Sequence, residues 1–144
     1  MYQPTPLQFH SDQVAHLLGL ALSLNLQPGP GGAGMTPQSE TRLLFEPVLK
    51  PYFSGTWYAC TVVGLWPSQQ IPLHADAKIL GVRYHLPLQT NLRCLSFTEA
   101  EDGVIYCHKL YEGQVYTLDP TLPHGAVNWG SEVRLHLMID VEGA

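Results

Sequence analysis

The chain has 144 residues, of which 45% are hydrophobic and 13% charged, a balance that excludes a disordered tail, a collagen-like array or a membrane-embedded bundle. At this length a single core can bury roughly 70% of the surface exposed by the unfolded chain, so one domain over residues 1–144 is expected. Seven Lys+Arg against twelve Asp+Glu give a net charge of −5, which leaves no basic face for a phosphate backbone and argues against nucleic acid as a partner.

In chain order, Ser11-Asp12 offers a cap for a helix from Gln13, and Val14, Leu17, Leu18, Ala21 and Leu22 follow at helical spacing. The pattern stops before Pro28. Residues 27–38 are rich in Pro and Gly and read as a loop without regular structure, either a linker or a lid. Residues 40–49 suit a second short helix ahead of Pro51, which completes a helical region over 11–50. The apolar stretch from Val14 to Leu26 is too short and broken to span a bilayer, and Met1-Tyr2-Gln3-Pro4 lacks a basic signal-peptide start. Cys60, Cys94 and Cys107 are odd in number and without CxxC spacing, so they read as small buried hydrophobes of a reducing compartment, and a cytoplasmic protein is expected.

From Gly55 the period changes to two, with β-branched and aromatic runs at 56–65, 79–88, 92–98, 104–110, 114–118 and 133–141. Asp102-Gly103 marks a hairpin, and Glu112-Gly113 and Asn128-Trp129-Gly130 supply further turns. Short strands at near-even intervals without intervening helices predict an antiparallel sheet closed into a sandwich or barrel over residues 55–144.

Within that region His74-Ala75-Asp76 places an imidazole and a carboxylate two residues apart. In extended backbone both point to one face with Cα atoms about 6.5 Å apart, so one cation could accept both. His124, several strands further on, would complete two imidazoles and a carboxylate if the barrel folds it over the pair. The bland alternative is a solvated turn histidine. Two strands repeat an arginine–x–histidine pattern, Arg83-Tyr84-His85 and Arg134-Leu135-His136, opposite faces of Val, Leu and Ile. A wet outer face would explain these polar positions, but the chain has only four arginines and places two of them here. An arginine inside a barrel needs an anion, and its fork matches a carboxylate.

The segments Ile71 to Asp76, Arg83 to Asn91, Gly113 to Tyr116, His124 to Asn128 and Arg134 to Val141 resemble the aspartyl/asparaginyl β-hydroxylase family. The likeness covers about half the chain, from Trp66 to Val141, and keeps order and spacing: nine residues from His74 to Arg83 and ten from His124 to Arg134. It implies a mainly β fold, a double-stranded β-helix (jelly-roll, cupin-like) barrel behind one or two N-terminal helices. It also implies a dioxygenase that uses Fe(II), 2-oxoglutarate and O2 to hydroxylate an amino-acid side chain, free or within a peptide or protein. His74 and His124 then match the iron-binding histidines with Asp76 as third ligand, Arg134 matches the residue that pairs with the distal carboxylate of 2-oxoglutarate, and Arg83 and His85 line the cosubstrate or substrate pocket. Vertebrate enzymes of the family lack a carboxylate at the position of Asp76, so the chain resembles the bacterial or phage-like branch more closely.

Two other functions fit the same residues: a cupin-type zinc- or manganese-dependent hydrolase or isomerase, and a non-catalytic metal-binding module. Arg134 separates the first from an oxygenase, because a hydrolase has no standing need for an arginine aimed at a dicarboxylate. Trp66-Pro67 reads as barrel-edge packing or a pocket wall. Asn91 and Asn128 read as turn residues, and His10, His16 and His108 as surface or packing residues. The prime substrate and the oligomeric state are not encoded in these motifs.

Overall fold

A computed structural model describes residues 1–29 and 32–143. It contains strands β1 (Gln3–Gln8), β2 (Ala33–Met35), β3 (Thr56–Leu65), β4 (Gln70–His74), β5 (Val82–Gln89), β6 (Cys94–Glu99), β7 (Ile105–His108), β8 (Gln114–Leu118), β9 (His124–Asn128) and β10 (Arg134–Glu142), with helices α1 (Ser11–Leu22) and α2 (Gln38–Leu49). The strands form a six-stranded sheet, β1-β8-β5-β10-β3-β2, facing a four-stranded sheet, β4-β9-β6-β7, with every pairing antiparallel. This is the antiparallel two-sheet arrangement expected from the strand pattern, and the jelly roll that the resemblance implies.

The wet outer face weighed for β5 and β10 does not occur. One face of the large sheet carries Leu86, Leu88, Leu135, Leu137 and Ile139, and α1 and α2 cover it with Leu17, Ala21, Phe45 and Leu49. Helical spacing puts Val14, Leu17 and Ala21 of α1, and Thr41, Phe45 and Leu49 of α2, on the buried stripes. The opposite face of the same strands, with Arg83, His85, Arg134, His136 and Asp140, looks into the barrel and is largely buried as well. The principal apolar core therefore lies outside the barrel, under the helices, and the interior is left to polar chemistry.

Several local expectations need correction. Helix α1 begins at Ser11 behind His10, whose backbone N–H donates to Gln13 Oε1 at 2.9 Å, so Ser11-Asp12 is not the cap. Helix α2 starts two residues before Glu40 and carries Pro47 in its final turn. The Gly/Pro-rich segment is not wholly irregular, since Ala33–Met35 pairs with β3, while Pro30 and Gly31 of that segment lie outside the described residues. Cys60 and Cys94 are buried, but Cys107 is exposed, because it sits on the short edge strand β7. The hairpin at Asp102-Gly103 is present between β6 and β7, with Gly103 at φ +84°, where a Cβ would be strained. No helix among the described residues is long and apolar enough to cross a membrane.

Leu137 lies at the centre of β10 between β3 and β5 and is fully buried against the helices. Leu137→Ala should cost about 2–5 kcal/mol of unfolding free energy, measured as a shift in the urea midpoint at unchanged slope.

Candidate active site

The site is assembled across the edge of the small sheet. His74 ends β4 and lies directly opposite His124, the first residue of β9. Their rings are 4.4 Å apart, centre to centre. That pairing depends on an irregularity in β4, where the register slips by one residue between Ile71 and His74. Pro72 lies within this slip and, lacking an N–H, suits an edge strand. Gly125 permits the close approach, since a Cβ there would lie 2.5 Å from the Ile71 carbonyl oxygen and 3.1 Å from the Leu73 backbone nitrogen. Without the slip, Pro123 rather than His124 would face His74.

Each histidine is oriented by its own backbone neighbourhood. His74 Nδ1 is 2.8 Å from the Pro72 carbonyl and His124 Nδ1 is 2.8 Å from the Leu122 carbonyl. The carbonyls only accept, so Nδ1 is the donor in both rings, which turns Nε2 of each towards Asp76 as the nitrogen available to a metal. Asp76 follows in coil, tied by its backbone N–H to the Pro120 carbonyl at 2.8 Å. Its Oδ1 is 3.5 Å from His74 Nε2 and its Oδ2 is 3.5 Å from His124 Nε2. The three ligand atoms lie within 4.8 Å of one another. Adjacent ligands bound about 2.1 Å from one ion stand roughly 3 Å apart, so a small side-chain adjustment suffices. Burial holds His124 below its ordinary pKa, which favours the neutral ring that a metal requires. Two neutral imidazoles and a carboxylate are the donor set of a facial triad.

Behind this triad a cavity of about 200 Å³ runs into the barrel. Its lining includes Arg83, His85, Arg134, His136 and Met138 of the large sheet, with Tyr2 from the segment before β1 and Ala33 and Met35 of β2. The structure brings all six predicted site residues to this one cavity.

Arg83 and Arg134 differ sharply in how they are satisfied. Arg83 has two carboxylates within bonding distance, Asp140 and Asp76. Among the described residues Arg134 has none; its guanidinium lies against the His136 imidazole, with nitrogen separations of 2.9 and 2.8 Å, and its Nη1 is buried without a partner. Burial accordingly pulls the Arg134 guanidinium below its ordinary pKa. Both ring nitrogens of His85 are also buried without a partner.

Tyr2 and His136 line the cavity and Asp140 binds Arg83 behind it, and none of the three was expected as a site residue. The Tyr2 ring meets His85 edge-on at 5.4 Å, and its phenol is raised by burial against the opposing pull of Arg134. His136 and Asp140 could have been found, because period two places them on the same face as Arg134. Tyr2 carries no such signal. Asn128 is not a turn residue but the fully buried end of β9, its amide donating to the Leu65 and Glu132 carbonyls, while the expectation of edge packing holds for Trp66, whose ring lies close to Gly34 and Gly64.

The family model for aspartyl/asparaginyl beta-hydroxylase matches residues 39–143. Among solved structures, an oxidoreductase of the 2OG-Fe(II) oxygenase family from Burkholderia pseudomallei superposes with a TM-score of 0.73 at 12% identity, covering 99% of this chain and 83% of that one. A Pseudomonas putida prolyl-4-hydroxylase gives 0.67 at 16% identity over 98% and 91% of the two chains. A Streptomyces hygroscopicus protein solved with nickel, 2-oxoglutarate and hygromycin B gives 0.69 at 15% identity over 96% and 81%. At these identities the structural likenesses establish the barrel, while the family match covers most of the chain.

Burial drives His85 and His136 well below their ordinary pKa, and the neighbouring Arg134 adds to this for both. The unfolded chain takes up protons below about pH 6.5 that the folded chain refuses. Their contribution to stability is therefore complete above that pH and is lost as the pH falls. Urea unfolding should show stability dropping between pH 7 and 5.5 by up to about 1.4 kcal/mol per unit for each histidine, with a shallower slope in His136→Gln.

Since the family match spans residues 39–143 and the barrel brings together three side chains able to hold a metal ion beside an unpaired buried arginine, the chain belongs to the aspartyl/asparaginyl beta-hydroxylase family.

Proposed function

We propose that the protein binds Fe(II) through His74, Asp76 and His124, takes 2-oxoglutarate as cosubstrate, and hydroxylates an amino-acid side chain, free or within a peptide. The observation that carries this reading is Arg134. A fully buried guanidinium with an unpartnered Nη1 and no carboxylate in contact is unfavourable unless an anion completes it. The cavity that joins it to the triad, at about 200 Å³, is smaller than most ligand pockets and fits a small diacid rather than a large cofactor.

Bound iron together with 2-oxoglutarate and O2 supplies the oxidising chemistry; the chain supplies placement. Arg134 receives the far carboxylate, with Nη1 donating a charge-assisted hydrogen bond that no protein atom now accepts. His136 braces the guanidinium from the neighbouring position on β10, and Tyr2 packs on His85 to keep water from that end. His85, neutral and unpartnered, lines the same compartment, and Arg83 stands at its metal side. The prime substrate approaches where the site is open, beside the partly exposed His74 and Asp76 and the exposed Met35 and Leu73. A cupin-type hydrolase or isomerase would leave Arg134 without a purpose.

Anaerobic protein with Fe(II) and 2-oxoglutarate should develop a weak visible charge-transfer band, and admitted O2 should release succinate. His124→Ala should abolish both; a well-folded wild-type protein that shows neither would refute the proposal. Arg134→Met should weaken 2-oxoglutarate binding by about 2–5 kcal/mol. Because the substitution removes an unpaired buried charge, the ligand-free variant should melt no lower than wild type. Only wild type should gain thermal stability from 2-oxoglutarate.

A further inference from the structure

Asp76 is the weakest-held member of the triad. It follows the end of β4, its side chain is 36% exposed, and its backbone N–H bonds the Pro120 carbonyl. One side-chain contact compensates for this: Arg83 Nη1 donates to Asp76 Oδ2 at 3.0 Å. Arg83 itself is locked. Its Nε donates to Asp140 Oδ1 at 2.8 Å and its Nη2 to Asp140 Oδ2 at 2.9 Å, a planar two-bond fork. Arg83 and Asp140 face each other directly across β5 and β10, two central strands of the large sheet, with side chains 11% and 6% exposed. The fork commits the Nε and Nη2 edge to Asp140, and Nη1 points at the metal site.

We propose that Asp140 is a positioning residue for the metal centre, acting through Arg83 to hold Asp76 as third ligand. The proposal rests on the metal-binding reading above and adds to it that the Arg83 guanidinium serves a protein carboxylate rather than the cosubstrate. Oδ2 of Asp76 is engaged by Arg83, which leaves Oδ1, on the His74 side, for the ion. An exposed aspartate in coil would otherwise sample several rotamers, and fixing it in advance removes that entropy from the binding step. The charges also balance: two carboxylates and one guanidinium present the same net −1 to a cation as Asp76 alone.

That balance makes the test possible. The double variant Arg83→Gln/Asp140→Asn keeps the net charge and strands no buried ion, but it dissolves the fork. Co(II) alone is titrated into the metal-free protein under argon, followed by its visible d–d absorption and by calorimetry. Wild type is expected to bind one ion, and the double variant to bind it 10- to 100-fold more weakly at an unchanged chelator-free melting temperature. In protein saturated with Co(II), the affinity for 2-oxoglutarate should change less than threefold. Arg83→Lys, which keeps the charge but cannot bridge both carboxylates, should lose Co(II) affinity in the same direction and serves if the double variant does not fold. Co(II) affinity within twofold of wild type in the double variant, or in Arg83→Lys where that variant stands in, would overturn the proposal. So would intact Co(II) affinity with weakened 2-oxoglutarate binding, which would assign Arg83 to the cosubstrate. Wild type that binds no Co(II) at His74 and His124 would instead defeat the metal-binding reading itself, and this proposal with it.

Discussion

Two guanidiniums share the interior of this barrel, and only one has carboxylates to neutralise it. Arg83 is held by Asp140 and Asp76, while Arg134, on the neighbouring strand β10, has a neutral imidazole and an unpaired nitrogen. A buried ion without a counter-ion costs several kcal/mol, so the fold must recover that elsewhere. It does so on the far side of the same strands, where Leu135, Leu137 and Ile139 of β10 pack under two helices. The sheet is thus two-faced by necessity. Along β10 apolar residues packed under the helices alternate with polar residues that face the barrel interior.

This alternation explains which parts of the fold were legible from residues alone. Strands β3 and β8 were predicted to the residue, because uninterrupted β-branched and aromatic runs carry their own signal. Strands β4 and β9 were not, although they carry the two histidines of the proposed metal site. Pro and Gly generally weaken strands, yet here Pro72 and Gly125 permit the register slip and close approach that set His74 opposite His124. Local sequence rules failed where the site needs an irregular strand pair. Strand β1 was hidden for a related reason, since Pro4 and Pro6 are tolerated only because β1 lies at the sheet edge.

Side-chain roles were legible to the extent that they follow from period two. The shared face of Arg134, His136 and Asp140 could be read from the sequence, but whether that face looked outward to water or inward to a cavity could not. Both readings give the same alternating pattern, and the decision lies in whether a second layer covers the apolar side. The N-terminal helices supply that layer, which turns a pattern compatible with a solvated sheet into a buried polar interior.

The family match begins at residue 39, yet the cavity is not closed by the matched residues alone. Strand β1 pairs with β8 and covers what would otherwise be an open sheet edge, and it brings Tyr2 over His85 at the deep end of the cavity. Strand β2 extends the opposite edge beside β3 and places Ala33 and Met35 in the cavity wall. The triad and both arginines lie within the matched residues, whereas these wall residues come from the preceding segment. Residues that hold an ion are constrained by distances of tenths of an ångström, while residues that wall a cavity need only exclude water and complement a shape. The preceding segment therefore shapes the cavity wall without contributing any of the three side chains able to hold an ion.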